Sequence, residues 1–153
     1  MEKEFVPYEQ ALALKELGFD EPCYDAYTHD GGGESTVPPE KYNYRTDVIA
    51  APLYQQAFRW FREKYHIIGE VKYKGGLTTK TAWYNYVIYS QIDWEDDNPN
   101  KQWKTYEEAE LECLKKLIEI AKTKEIRNNN SNIILDYFRN ICRIKTISIK
   151  GNR

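Results

Sequence analysis

Apolar positions along the chain recur with two different periods, and the changes between them mark the elements. From Tyr8 to Leu17 the residues Ala11, Leu14 and Leu17, flanked by Tyr8 and Leu12, gather on one side, with Lys15 and Glu16 outside. That is the stripe of an amphipathic helix. Pro7 stands where a missing N–H costs a helix nothing, and Gly18 where a left-handed cap closes one. After the turn Phe19-Asp20-Glu21-Pro22, the segment Cys23 to Thr28 reads as a brief strand. From His29 to Ala51 the pattern dissolves into Gly31-Gly32-Gly33, Pro38-Pro39 and scattered tyrosines, the mark of a long loop. Pro52 opens a second helix, in which Tyr54, Ala57, Phe58, Phe61 and Tyr65 repeat at steps of three and four. Trp60 lies to one side of that stripe, while Arg59, Arg62, Glu63 and Lys64 make the wet face.

At His66 the period drops to two. Residues 66–74 and 81–92 have strand character and are joined by a connection containing Gly75 and Gly76. In the first of these strands Ile67, Val71 and Tyr73 alternate with Ile68, Glu70, Lys72 and Lys74, which makes the odd-numbered face the core face. The second contains Trp83-Tyr84-Asn85-Tyr86-Val87-Ile88-Tyr89 and is apolar on both faces. Tyr84, Tyr86, Ile88 and Ile92 form the more continuous set and should meet the helices, leaving Trp83, Val87 and Tyr89 outside. After the acidic turn 93–100, Thr105-Tyr106-Glu107-Glu108 has the form of a capping box. The helix it starts runs to about Lys124 and buries Ala109, Cys113, Leu114, Leu117, Ile118 and Ala121. Its first turns hold Glu107, Glu108, Glu110 and Glu112, the charge that a helix dipole favours there.

The elements in the order α-β-α-β-β-α predict an α+β fold, a small and mostly antiparallel sheet with three helices packed on one face. The composition changes at Arg127-Asn-Asn-Asn-Ser-Asn132, a polar break. We therefore expect one domain over 1–125, then a polar linker and a basic amphipathic C-terminal extension over 126–153. In that extension Ile133, Ile134, Tyr137, Phe138, Ile141 and Ile144 recur at helical spacing. The net charge of −2 conceals an asymmetry, since residues 126–153 contain six Lys/Arg and one acid. The acidic body repels a polyanion. No apolar run is long enough for a membrane span, and the start Met-Glu-Lys-Glu lacks the features of a signal peptide, which predicts a cytoplasmic protein without a membrane partner. Cys23, Cys113 and Cys142, odd in number and far apart, fit a reducing compartment.

Chemistry-bearing constellations are few. His29 and His66 are the only histidines and neither has a second ligand at zinc spacing, so no metal and no cofactor is expected. No serine lies in a nucleophile-elbow context, and none of the cysteines has a local histidine partner, so no catalytic residue is assigned. Cys113 falls on the apolar side of its helix and reads as a small buried hydrophobe. The triglycine lacks the Lys-Ser/Thr ending of a phosphate loop, and Asp93-Trp94-Glu95-Asp96-Asp97 lacks calcium-loop spacing. What remains is a candidate binding set: Trp83 and Tyr89 on the outer sheet face, with Lys72 and Lys74 beside them and Arg59 and Arg62 as further basic groups.

The blocks FVPYEQALALKELGFDEPC, QAFRWFREKY and TYEEAELECLKKLIEI, lying in that order within residues 5–125, resemble a family of small uncharacterised proteins encoded by phages and mobile elements of gut Bacteroidetes. The resemblance implies an accessory protein of such an element and carries over no activity or catalytic residue. The loop 29–51 and the tail after Glu125 lie outside it. The reading that follows is a non-enzymatic accessory protein that binds a host or phage protein, with self-association as a further expectation. The alternative is a nucleic-acid-binding module that uses an open aromatic sheet face.

Overall fold

The computed structural model describes residues 4–28, 48–75, 82–90 and 101–127. The chain divides into two compact units, Met1–Glu119 and Ile120–Arg153. Within the first unit the elements are α1 (Tyr8–Glu16), β1 (Asp25–Thr28), β2 (Val48–Ala51), α2 (Tyr54–Tyr65), β3 (Ile67–Lys74) and β4 (Trp83–Ser90). Residues 106–119, the start of α3, complete it. The described residues of the second unit, 120–127, are helical. The class is α+β.

α1 begins at Pro7, which serves as its N-cap, and the Pro7 carbonyl accepts the Ala11 N–H at 2.9 Å. It ends in a Schellman motif: Gly18, at φ +80°, donates to the Lys15 carbonyl and Phe19 donates to the Leu14 carbonyl, both at 2.9 Å. A lysine from α2 completes the cap. Lys64 Nζ donates to the Leu17 carbonyl at 2.6 Å while lying 4.8 Å from the Trp60 ring centroid. A cation at the carbonyl end of a helix, held over an indole face, is favoured twice.

This contact also changes which side of α2 is covered. The spacing placed Trp60 beside the apolar stripe, yet it is buried against Phe19, Phe61 and Tyr65. Phe58, within the stripe, is only half-buried. The end of α1 covers the Trp60 flank, so two adjacent sides of α2 turn inward. At the start of α2, Gln56 Oε1 accepts the Leu53 N–H at 3.0 Å and Gln56 Nε2 donates to the Pro22 carbonyl at 3.1 Å, tying helix to turn. The helix ends at His66 in the left-handed region, φ 53°, whose N–H donates to the Phe61 carbonyl before the chain enters β3.

The segment read as a loop from His29 to Ala51 contains a strand at its end. β2 pairs antiparallel with β1 in the register Asp25↔Ala51 to Thr28↔Val48. Four apolar residues show no period of their own, and only a partner strand makes them a ladder. Lys15 Nζ on α1 donates to the Val48 carbonyl at 2.9 Å. The expected strand Cys23 to Thr28 is shorter, beginning at Asp25. Nearby, Phe5 forms a bridge with Leu53, and the Val6 N–H meets the Pro52 carbonyl at 2.8 Å.

β3 and β4 form a second antiparallel pair, from Ile67↔Ser90 to Lys74↔Trp83. Among the described residues the strands thus make two two-stranded sheets. The inner face of the second sheet carries Ile67, Gly69, Val71 and Tyr73 with Tyr84, Tyr86, Ile88 and Ser90, as the alternation predicts. Gly69 lets the helices approach: a Cβ there would lie 2.7 Å from Cys113 Sγ, 2.9 Å from Phe58 Cε1 and 3.0 Å from Leu117 Cδ1. Trp103 exchanges both backbone hydrogen bonds with Tyr84, at 2.8 and 3.0 Å, and its ring packs 5.2 Å from that of Tyr86. α3 then starts at the expected capping box, the Glu108 N–H donating to Thr105 Oγ1 at 3.2 Å and the Thr105 N–H to Glu108 Oε2 at 3.3 Å. Cys113, Leu114, Leu117 and Phe61 are fully buried. The loop 29–47, the turn 93–100, Ile92 and the tail 128–153 lie outside the described residues.

Candidate functional site

Register determines which side chains share the outer face of the β3–β4 pair. Partner positions are of opposite parity, so the even residues of β3 stand beside the odd residues of β4: Ile68↔Tyr89, Glu70↔Val87, Lys72↔Asn85 and Lys74↔Trp83. Four of the six candidate binding residues, Trp83, Tyr89, Lys72 and Lys74, are therefore neighbours on one surface. Trp83 and Tyr89 are half-buried, Lys74 is exposed, and Ile68 is 46 % exposed. Asn85, in the middle of the face, is 2 % exposed. A small polar residue inside an aromatic run gave no signal of this burial.

The polar groups on this face are coupled. Lys72 Nζ donates to the Tyr89 hydroxyl at 2.7 Å, and that hydroxyl donates to Glu70 Oε2 at 3.4 Å. Lys72 also lies 3.7 Å from the Glu70 carboxylate and 5.4 Å from the Tyr89 ring centroid. Such exposed pairs add little stability. Their effect is to orient the phenol and to offset the charge of Lys72, so the sheet face is amphipathic rather than strongly basic.

Arg59 and Arg62 are placed elsewhere. Both are exposed on α2, and α2 packs on the inner face, where Phe58 meets Gly69. Arg59 is engaged by Glu21, Nη2 to Oε2 at 2.7 Å, and this hydrogen bond and charge raise its pKa above the ordinary value. The structure thus separates the two arginines from the aromatic and lysine residues they were grouped with.

No protein-family model, curated protein or solved structure matches the chain. Function must be argued from the residues themselves. Among the described residues, no helix is long and apolar enough to cross a membrane, and no group of three or more His, Cys, Asp or Glu could hold a metal ion. Burial, with smaller contributions from Glu21 and Glu110 respectively, pushes the Cys23 and Cys113 thiols up to about 12. Both are protonated at neutral pH and lack the thiolate needed for nucleophilic attack.

Glu110, in the first turns of α3, is partly removed from water. Desolvation raises its pKa, the Glu107 charge adds to this, and a hydrogen bond from Tyr106 opposes it. The native state therefore holds this proton where the unfolded chain has lost it. The resulting stabilisation is complete below the ordinary carboxylate value and disappears as pH rises through the raised native value. Glu110→Gln removes the titration but keeps an acceptor for Tyr106. Thermal unfolding between acidic and neutral pH should show the variant gaining on the wild type as pH rises. Parallel profiles would show that burial of Glu110 has no cost.

Proposed function

We propose that the chain is a non-enzymatic accessory protein of a phage or mobile element, working in the cytoplasm by binding a host or phage protein through the outer face of the β3–β4 pair. The observation that carries this reading is the clustering of Trp83, Tyr89 and the exposed Ile68 with Lys72 and Lys74 on one sheet face. Trp and Tyr are the residues that anchor protein interfaces, and lysines with a carboxylate nearby form the polar rim such anchors need. The resemblance of three sequence blocks to mobile-element proteins supplies the biological setting.

The nucleic-acid reading is less well supported by the same geometry. Phosphate binding needs several uncompensated cations on one surface. Here Lys72 is shared with Glu70 and Tyr89, Arg59 is held by Glu21, and both arginines lie on the helical side of the sheet.

The test compares wild type with Trp83→Ala/Tyr89→Ala. The partner is captured from host extract by the wild type, then purified and titrated against both proteins. The double variant should bind at least about tenfold more weakly, with a circular dichroism spectrum like that of the wild type. Equal affinity would remove this face as the binding surface. A parallel mobility-shift assay should show no salt-sensitive binding to single- or double-stranded nucleic acid at physiological salt. Submicromolar, salt-sensitive binding there would favour the alternative.

A further inference from the structure

We infer that the far end of the β3–β4 hairpin, on its inner face, binds an arginine-bearing segment of a partner protein between the rings of Tyr84, Trp103 and Tyr106 and the carboxylates of Glu107 and Glu110. This surface lies on the opposite side of the hairpin from that of the proposed function and does not depend on it. The starting point is how far the helices cover the sheet. α2 ends directly before β3, and Phe58, Cys113 and Leu117 close on Gly69, so Ile67 and Ile88 at the near end of the inner face are fully buried. Cover fades along the strands. Tyr86 is still buried, Tyr84 is half-buried, and Tyr73 opposite it is 55 % exposed. Trp103, paired with Tyr84, is half-buried, and Tyr106, which opens α3, is 45 % exposed. The rings of Tyr73 and Tyr84 lie 5.7 Å apart at 70°, and those of Tyr84 and Tyr106 6.0 Å apart at 88°. An edge-to-face contact covers a face of one ring only and leaves the faces of the other open. Aromatic side chains from β3, β4 and the start of α3 thus form a partly wet ledge beyond the reach of the core.

Charge selects the occupant. α3 begins at this ledge, and the acids that its dipole favours stand beside the rings. Glu108 is used in the cap, where its Oε2 accepts the Lys104 and Thr105 N–H groups. Glu107 and Glu110 act instead on Tyr106. Partial burial comes first in raising the pKa of its phenol, then the charge of Glu110 and the hydrogen bond to that carboxylate, with smaller contributions from Cys113 and Glu107. Among the described residues no lysine or arginine pairs with Glu107 or Glu110. A cation that enters here finds uncompensated carboxylates and ring faces that attract it. Arginine fits better than lysine, because its planar and weakly hydrated guanidinium stacks on a ring while offering paired N–H groups to a carboxylate. An open ledge that runs from strand to helix suits a peptide segment laid across it, whereas small ligands are held in clefts. The same carboxylates repel a phosphate backbone, so these rings are no platform for nucleic-acid bases.

The probe is a short peptide of glycine and serine carrying two arginines, titrated into the full chain and followed by NMR, with its citrulline counterpart as the neutral isostere. The arginine peptide should bind in the millimolar range and shift the ring resonances of Tyr84, Trp103 and Tyr106. The citrulline peptide should bind about fivefold more weakly or less. That comparison uses the wild type alone and is independent of how any variant folds. Tyr106→Leu keeps apolar bulk but removes the ring, and Glu107→Gln removes the charge; each should weaken the arginine peptide by about threefold to tenfold. Tyr106→Phe, which keeps the ring, should stay close to the wild type. So should Glu63→Gln, which removes an exposed acid from α2 near the other end of β3. Ledge resonances that do not move at millimolar peptide overturn the inference, as does an equal response to citrulline. A loss in Glu63→Gln as large as in Glu107→Gln also overturns it, by reducing the effect to the general acidity of the protein. Ring shifts that follow protein concentration without peptide would assign the ledge to a second copy and overturn it as well.

Discussion

Replacing Phe61 by Ala should cost about 3–5 kcal/mol of folding stability. The ring is fully buried on α2, with its centroid 5.1 Å from that of Trp60 and 5.9 Å from that of Tyr65. Trp60 in turn meets Phe19 after the cap of α1, so a void at Phe61 reaches the α1–α2 junction as well as the helix–sheet contact. Partial collapse around the truncated side chain sets where in the range the value falls. Because small domains are stable by only about 5–15 kcal/mol, the loss should be obvious in a urea or thermal midpoint. An unchanged midpoint would mean that α2 is rotated from the orientation described here.

The second large effect is expected at Gly69, where the added atom is one methyl. A Cβ would meet Cys113 Sγ at 2.7 Å, Phe58 Cε1 at 2.9 Å and Leu117 Cδ1 at 3.0 Å, all inside ordinary contact distance. Overpacking of this kind costs about 1–3 kcal/mol. The loss of chain freedom in the unfolded state returns about 0.4–1 kcal/mol of it. Gly69→Ala should therefore be destabilising on balance, and Gly69→Val more so. Cys113→Ala removes the nearest atom. In a double-mutant cycle, Gly69→Ala/Cys113→Ala should be more stable than additivity predicts, by about 0.5–3 kcal/mol. Strict additivity of the two changes would contradict the contact between strand and helix.

The relation of sequence to structure differs from element to element, for physical reasons. The end of α1 and the start of α3 were legible because their stop and start signals are local: Gly18 supplies a left-handed residue, and Thr105 with Glu108 exchanges hydrogen bonds across one turn. The faces of β3 and β4 were legible because alternation in β3 is clean, and once one strand's face is known the partner's follows from the pleat. β2 was not legible, since Val48–Ala51 is four apolar residues following a Gly- and Pro-rich stretch. Strand identity there depends on pairing with Asp25–Thr28, twenty or more positions earlier.

The candidate surface divides in the same way. By itself the sequence determined that Trp83 and Tyr89 share one face of their strand and Lys72 and Lys74 one face of theirs, because side-chain direction along a strand is a local consequence of backbone geometry; the register of the pair put the two sets on the same side. The sequence also determined the α+β class, since helical and strand periods succeed one another along the chain. Only tertiary structure decided that Arg59 and Arg62 lie on the helical side, that Trp60 is buried more deeply than Phe58, and that Asn85 is buried. Each of these depends on which other element covers a given flank, and that is fixed by contacts between residues distant in the chain: Lys64 at the end of α1, and Gly69 beneath Phe58 and Cys113. Periodicity reports that a side must be covered. It does not report what covers it, nor which carboxylate a surface cation will find.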